Sequence, residues 1–226
     1  GAFCRMTSSL FRPTTWADYI HLPPNRKRNS AMNAWQITSA GGIDALSATT
    51  RPVEQPAHGQ ILVRARAVSL NYRDLLHVLG YADQDRWPLV PCSDGAGDVV
   101  AVGAGVTRFK VGDKVAGTFF QRWVSGNVSP AVMESALGGR QQGMLAEHVI
   151  LSEEGAVAIP AGWSYAQAST LPCAALTAWH ALVTKGRVRA GETVLVLGTG
   201  GVSLFALQIA KMHGARVILT SSSDDK

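Results

Sequence analysis

Cysteine is nearly missing from this chain: of 226 residues only Cys4, Cys92 and Cys173 carry a thiol. They are scattered, odd in number and never spaced CxxC. That argues against a disulfide framework and against a cysteine-rich structural zinc site, and it fits a reducing, cytoplasmic setting. Charge is scarce as well, at 16% of residues against 46% hydrophobic. A chain of that balance buries enough apolar surface to offset its entropy, so a disordered protein is excluded and one large or two modest domains are expected. Long apolar runs are also lacking. The most apolar uncharged stretch, VLVLGTGGVSLFALQIA at 194–210, is shorter than the roughly 20 residues of a membrane span and has glycines at its middle. The uncharged run 155–184 is broken by Pro160 and Pro172, and the first residues have no apolar core of a secretory signal. No membrane partner is expected.

The net charge of +5 is unevenly placed. Arg5, Arg12, Arg26, Lys27 and Arg28 face Asp18 alone within 1–31, which leaves the rest of the chain near neutral. A nucleic-acid surface needs its basic residues clustered on folded structure, and this segment has no periodicity, so no nucleic-acid partner is expected. Residues 1–31 are read as a disordered or non-native extension ahead of a start at Met32, although their Arg-rich, acid-poor composition has something of an organelle transit sequence.

From Met32 the pattern is one of short strands. AWQIT and ILVRARAVSL alternate apolar and polar residues on either side of the Pro/Gly segment RPVEQPAHGQ. DLLHVLGY has helical spacing. GDVVAVGAGV reads as a strand entering a glycine turn, and FKVGDKVAGTF as strand, turn and strand. MLAEHVIL and GAVAIP follow, which predicts a mostly antiparallel, β-barrel-like domain. Beyond Pro160, SYAQASTLPCAALTAWHALVTKG is a long helical stretch interrupted by Pro172. TVLVLG then reads as a strand buried on both faces, GVSLFALQIAKMHG as a helix and ARVILTSSS as a second strand, together one right-handed βαβ unit.

The turn inside that unit carries chemistry. Gly198 suits a tight turn, and Gly200 lets backbone approach a pyrophosphate at the exposed amides of a helix N-terminus. Thr199, Gly201 and Val202 belong to the same loop, and Ser203 takes the third position of GxGxxG. An NAD site places a carboxylate about 20 residues on, at the end of the second strand. Here Ser221, Ser222 and Ser223 stand there with Lys226 just beyond, which suits a 2′-phosphate, while Asp224 and Asp225 oppose it. NADP(H) is the expected cofactor and NAD(H) the less suited alternative.

SLNYRDLL, PCSDGAGDVVAVGAGVTRFKVGDKV, LPCAALTAW and VLVLGTGGVSLFALQIAK, in that order, resemble the medium-chain dehydrogenase/reductase superfamily, most of all its zinc-independent quinone oxidoreductase-like and alcohol dehydrogenase-like members. The resemblance covers 32–226. It implies an α/β chain in which a GroES-like β-barrel-type catalytic domain at 32–155 precedes the first part of a Rossmann doubly wound parallel sheet at 156–226, truncated after its second strand. The zinc enzymes carry Cys where this chain has Asn71, and Gly-His-Glu where it has Cys92, Ser93 and Asp94. Cys173 falls at their third ligand position, but catalytic zinc needs three protein ligands, so no zinc is expected.

The resemblance also suggests roles, each with an ordinary alternative. Tyr72 is a candidate proton donor or an aromatic closing the barrel. Asn71 and Asp74 are candidates to bond substrate and cofactor ribose, or Asp74 simply caps the helix after it. Thr177 resembles the residue against the nicotinamide, and Ser93 and Asp94 read as polar packing. Cys173 reads as a small buried apolar residue, and His77, His148 and His180 receive no role. The expected function is hydride transfer from NADPH to a quinone, α,β-unsaturated carbonyl or aldehyde/ketone without zinc, with a homodimer as the full-length form. The alternatives are a zinc-free alcohol/aldehyde dehydrogenase and a catalytically incomplete nucleotide-binding piece.

Overall fold

A computed structural model describes residues 31–39, 41–81 and 87–223. The extension expected at 1–31 lies outside them except for Ala31, and so does Lys226. The chain forms two compact units divided between Ser169 and Thr170.

In the first unit β1 (Ala31–Ile37) pairs antiparallel with β2 (Leu46–Pro52). The sequence reading did not contain β2, because LSATTRP has no large apolar residue after Leu46. Its register opposite β1, with Ala48 facing Trp35, is what makes it a strand. The main sheet runs β6-β3-β4-β5-β7, all antiparallel, built from β3 (Gln60–Ser69), β4 (Asp94–Val102), β5 (Lys114–Gly117), β6 (His148–Ser152) and β7 (Ala156–Ala158). It curls into a half-barrel, as the β-barrel-type reading of 32–155 expects. Ile61, Val63, Val99, Val115 and Leu151 alternate inward along these strands and are at most 1% exposed. Each such side chain contributes roughly 1.5–3 kcal/mol of burial. Arg64 and Arg66 point outward from β3 and reach Asp98 of β4 at 3.2 and 2.7 Å. Two short helices, α1 (Tyr72–Val78) and α2 (Pro130–Met133), precede α3 (Tyr165–Ser169), from which Tyr165 donates to the same carboxylate, keeping α3 with the first unit.

The strand–turn–strand expected for FKVGDKVAGTF is a single strand, β5. Residues 103–113 fold back instead, because the Asp113 carboxylate accepts the Lys110 amide at 2.9 Å and Gly112, at φ +95, donates to the Val99 carbonyl. Val106 and Phe109 fall against the core from that loop.

The expected helical stretch continues past α3 as two wide turns, Leu171–Ala175 and His180–Lys185, around α4 (Leu176–Trp179). Pro172 opens the first of them, where its missing N–H costs no bond. In the second unit β8 (Thr193–Leu197), α5 (Gly201–Met212) and β9 (Arg216–Thr220) form the βαβ unit, with parallel strands in the register Val196 opposite Leu219. The expectation that TVLVLG is buried on both faces is corrected. Val196 is 6% exposed, whereas Leu195 and Leu197 are 60% and 71% exposed. A strand buried all round needs neighbours at both edges as well as cover on both faces, and among the described residues β8 has one paired edge, with β9.

Candidate functional site

Where β3 ends, Asn71 caps α1 (Tyr72–Val78), and the chain doubles back on itself. The Asn71 amide donates to Asp74 Oδ2 at 2.8 Å, and the Asp74 amide to the Asn71 carbonyl at 2.9 Å. The cap residue is therefore Asn71, with Asp74 one turn in and 5% exposed. Asn71 Nδ2 and Asp74 Oδ1 are both buried without a hydrogen-bond partner; the Arg73 guanidinium stands 3.5 Å from Oδ1.

The segment Cys92, Ser93, Asp94 lies beside this cap, and all three are at most 1% exposed. Cys92 takes a left-handed φ of +71, unusual for a residue with a Cβ. The conformation is held by the 137–145 segment, whose Gly143 and Met144 amides each donate at 2.7 Å, to the Val90 and Cys92 carbonyls. Only glycine fits at 143, since a Cβ there would lie 2.3 Å from the Cys92 carbonyl oxygen. Ser93 Oγ donates to Asp94 Oδ1 at 2.6 Å.

Burial pushes the Asp74 carboxyl up to about 6, helped by the neighbouring Asp94 charge and opposed by the Asn71 amide, Arg73 and the Ser93 amide. Burial, then Asp74 and Asp94, push the Cys92 thiol well above its ordinary value. It is thus a poor thiolate and a poor metal ligand. Tyr72 is 67% exposed, so its ring does not close the barrel.

In the second unit the glycine turn joins the carboxyl ends of β8 and β9, where open α/β sheets hold their ligands. Gly198 has φ +80 and donates to Thr220 Oγ1 at 3.1 Å. Ser203 replaces the usual small residue because its hydroxyl satisfies the Leu197 carbonyl at 2.9 Å. Gly200 caps α5 with no side-chain bond of its own, and a Cβ there would meet nothing within 4 Å. The turn of Gly198, Thr199, Gly200, Gly201 and Val202 is thus an open set of backbone donors that fits a pyrophosphate. Ser221, Ser222 and Ser223 follow Thr220 and are exposed. Ser221 Oγ is engaged locally, donating to the Ser223 carbonyl at 2.7 Å. Thr177 is exposed on α4, and Cys173 is partly rather than fully buried, a correction to its reading as a core residue. Among the described residues no group of three His, Cys, Asp or Glu side chains could hold a metal ion.

One feature of the first unit escaped the sequence reading: a cavity of about 330 Å³ flanked by Arg73, His77, Phe119 and Arg140. The four-residue step from Arg73 to His77 on a helix was the available signal, since it puts both side chains on one face.

Residues 57–161 match the alcohol dehydrogenase GroES-like domain. The chain is 43% identical, over 82% of its length and 55% of the relative's, to a zinc-type alcohol dehydrogenase-like protein of Schizosaccharomyces pombe. It is 34% identical, over 84% of its length and 53% of the relative's, to a quinone oxidoreductase of Pseudomonas aeruginosa. A solved NAD-dependent alcohol dehydrogenase superposes with a TM-score of 0.78 at 36% identity, covering 86% of this chain and 59% of that one. The chain spans about half the length of the curated relatives it matches.

Proposed function

The chain belongs to the medium-chain dehydrogenase/reductase superfamily, and from that premise we propose that it serves an NADPH-dependent, zinc-independent reduction of quinones and α,β-unsaturated carbonyls. The observation that carries this reading is the buried, unpartnered amide donor Asn71 Nδ2, beside a carboxyl held near neutrality. Where the zinc enzymes have a cation to polarise oxygen, this chain offers a hydrogen bond. Such a donor suits a conjugated electrophile, which needs less polarisation than a simple ketone.

A nicotinamide cofactor held at the glycine turn would supply the hydride that adds to the electrophilic carbon of the substrate. As that bond forms, an electron pair moves onto the carbonyl oxygen, where Asn71 Nδ2 donates. The Tyr72 phenol delivers the proton that completes the two-electron reduction. Asp74 is a positioning residue: it holds the Asn71 backbone through Oδ2. The amides of Gly198–Val202 would hold the pyrophosphate, Ser221, Ser222 and Ser223, with Lys226 from outside the described residues, would take the 2′-phosphate, and Thr177 would lie toward the nicotinamide.

The test is NADPH consumption, with product analysis, against quinone, enone and aldehyde panels. Asn71→Ala is expected to lower kcat/KM for enones by roughly 10²–10³, the usual worth of one oxyanion donor, without changing NADPH affinity. Ser221→Asp is expected to shift preference toward NADH by about tenfold or more, because a carboxylate repels the phosphate and accepts from a free ribose diol. Unchanged turnover in Asn71→Ala would sink the assignment.

A further inference from the structure

The cavity beside α1 has a charged wall and an apolar floor. Phe119, Phe120 and Met133 supply the floor, and Arg73 and Arg140 the charge. Its volume of about 330 Å³ sits at the small end of ligand pockets. Arg73 is held in place from three sides. Its guanidinium lies 4.5 Å over the Phe119 ring, donates to the Leu137 carbonyl at 3.0 Å and reaches His77 Nε2 at 3.1 Å. Gly139 makes this possible, since a Cβ there would stand 2.8 Å from Arg73 Nη2. Two hydrogen bonds use two of the five N–H groups of a guanidinium. Among the described residues Asp74 stands 3.5 Å from Arg73, too far to close a bidentate pair with it, and Glu134 stands 3.5 Å from Arg140. His77 stays neutral, with burial and then the two arginines lowering it to about 4, so it accepts from Arg73 and adds no competing charge.

We infer that this cavity is a carboxylate subsite, and that the substrates reduced here carry a carboxylate on a short apolar or aromatic body. The inference rests on the oxidoreductase reading above and deepens it. A fixed planar fork on an aromatic ring presents parallel donors to a planar anion at little entropic cost, and a second guanidinium on the same wall adds field. The Arg73–Asp74 contact ties this wall to the Asn71 cap.

Calorimetric titration of the chain with trans-cinnamate and with its neutral isostere cinnamamide, without nucleotide, tests the subsite apart from turnover. Cinnamate is expected to bind at least about tenfold more tightly, the worth of one charge-assisted pair. Arg140→Gln, on the solvent side, is expected to cut that ratio several-fold while leaving cinnamamide binding as it was. Arg73→Lys keeps the charge, loses the fork and is expected to do the same. Equal binding of the two compounds, binding of neither, or an unchanged ratio in Arg140→Gln would each overturn the subsite and leave the Asn71→Ala test of the reduction untouched. Selective cinnamate binding in a chain that consumes no NADPH would instead count against the reduction.

Discussion

Asp74 and His77 sit almost one turn apart on α1, and their titrations pull in opposite directions. Asp74 keeps its proton to about 6 rather than 3.8. Between those values the folded chain holds a proton that the unfolded chain has lost. Stability therefore falls as pH rises through this window, by up to about 3 kcal/mol. His77 takes its proton only near 4 rather than 6.5. There the unfolded chain holds the extra proton, so stability rises with pH over nearly the same interval. The two effects offset one another in the parent. Asp74→Asn, which can still accept from the Asn71 amide, is expected to unmask a rise in stability from pH 4.5 to 7. His77→Gln is expected to unmask a fall. Urea unfolding at four pH values across the window checks both, and parallel curves for all three proteins would rule out the burial-driven shifts.

Among the elements, two glycines separate folding from binding. Gly97 in β4 lies opposite Ala65, beside an irregularity in the pairing with β3, and a Cβ there would stand 2.0 Å from the Arg64 carbonyl oxygen. That atom is main chain inside a sheet and cannot step aside. Gly97→Ala is expected to cost about 3 kcal/mol or to prevent folding, as read by thermal and urea melts. Gly200 at the start of α5 has φ −77 and open space around it. Gly200→Ala is expected to cost only about 1 kcal/mol, the difference between the two residues as helix caps. It is also expected to weaken NADPH binding at least about tenfold, because the new methyl group occupies the line of approach to the pyrophosphate. An unchanged NADPH affinity would remove the glycine turn from the nucleotide site.

For the whole molecule, metal analysis of the purified chain is expected to find no stoichiometric zinc, and chelation is expected to leave its melting temperature unchanged. The residues at the zinc enzymes' ligand positions are an asparagine, a Ser–Asp pair bonded to each other, and Cys173 as the one thiol. One zinc per chain would overturn zinc independence. Much of the molecule was legible in the residues before any coordinates. Alternation of Ile61 and Val63, the glycines at Gly198 and Gly200, and the order of strand, turn and helix are local signals, because backbone preference acts over a few residues. β2 was not legible, since its residues have no apolar pattern and become a strand only opposite β1. The exposure of Leu195 and Leu197 was hidden for the same kind of reason: a strand's sequence shows what it can bury, and its neighbours decide whether it does. The motif SLNYRDLL pointed to Asn71 and Asp74, but the raised Asp74 carboxyl comes from burial beside Asp94, and the cavity from an Arg73 anchored on Leu137, 64 residues away. Motif spacing belonged to the sequence; desolvation and charge proximity arose only when tertiary packing excluded water between segments remote along the chain.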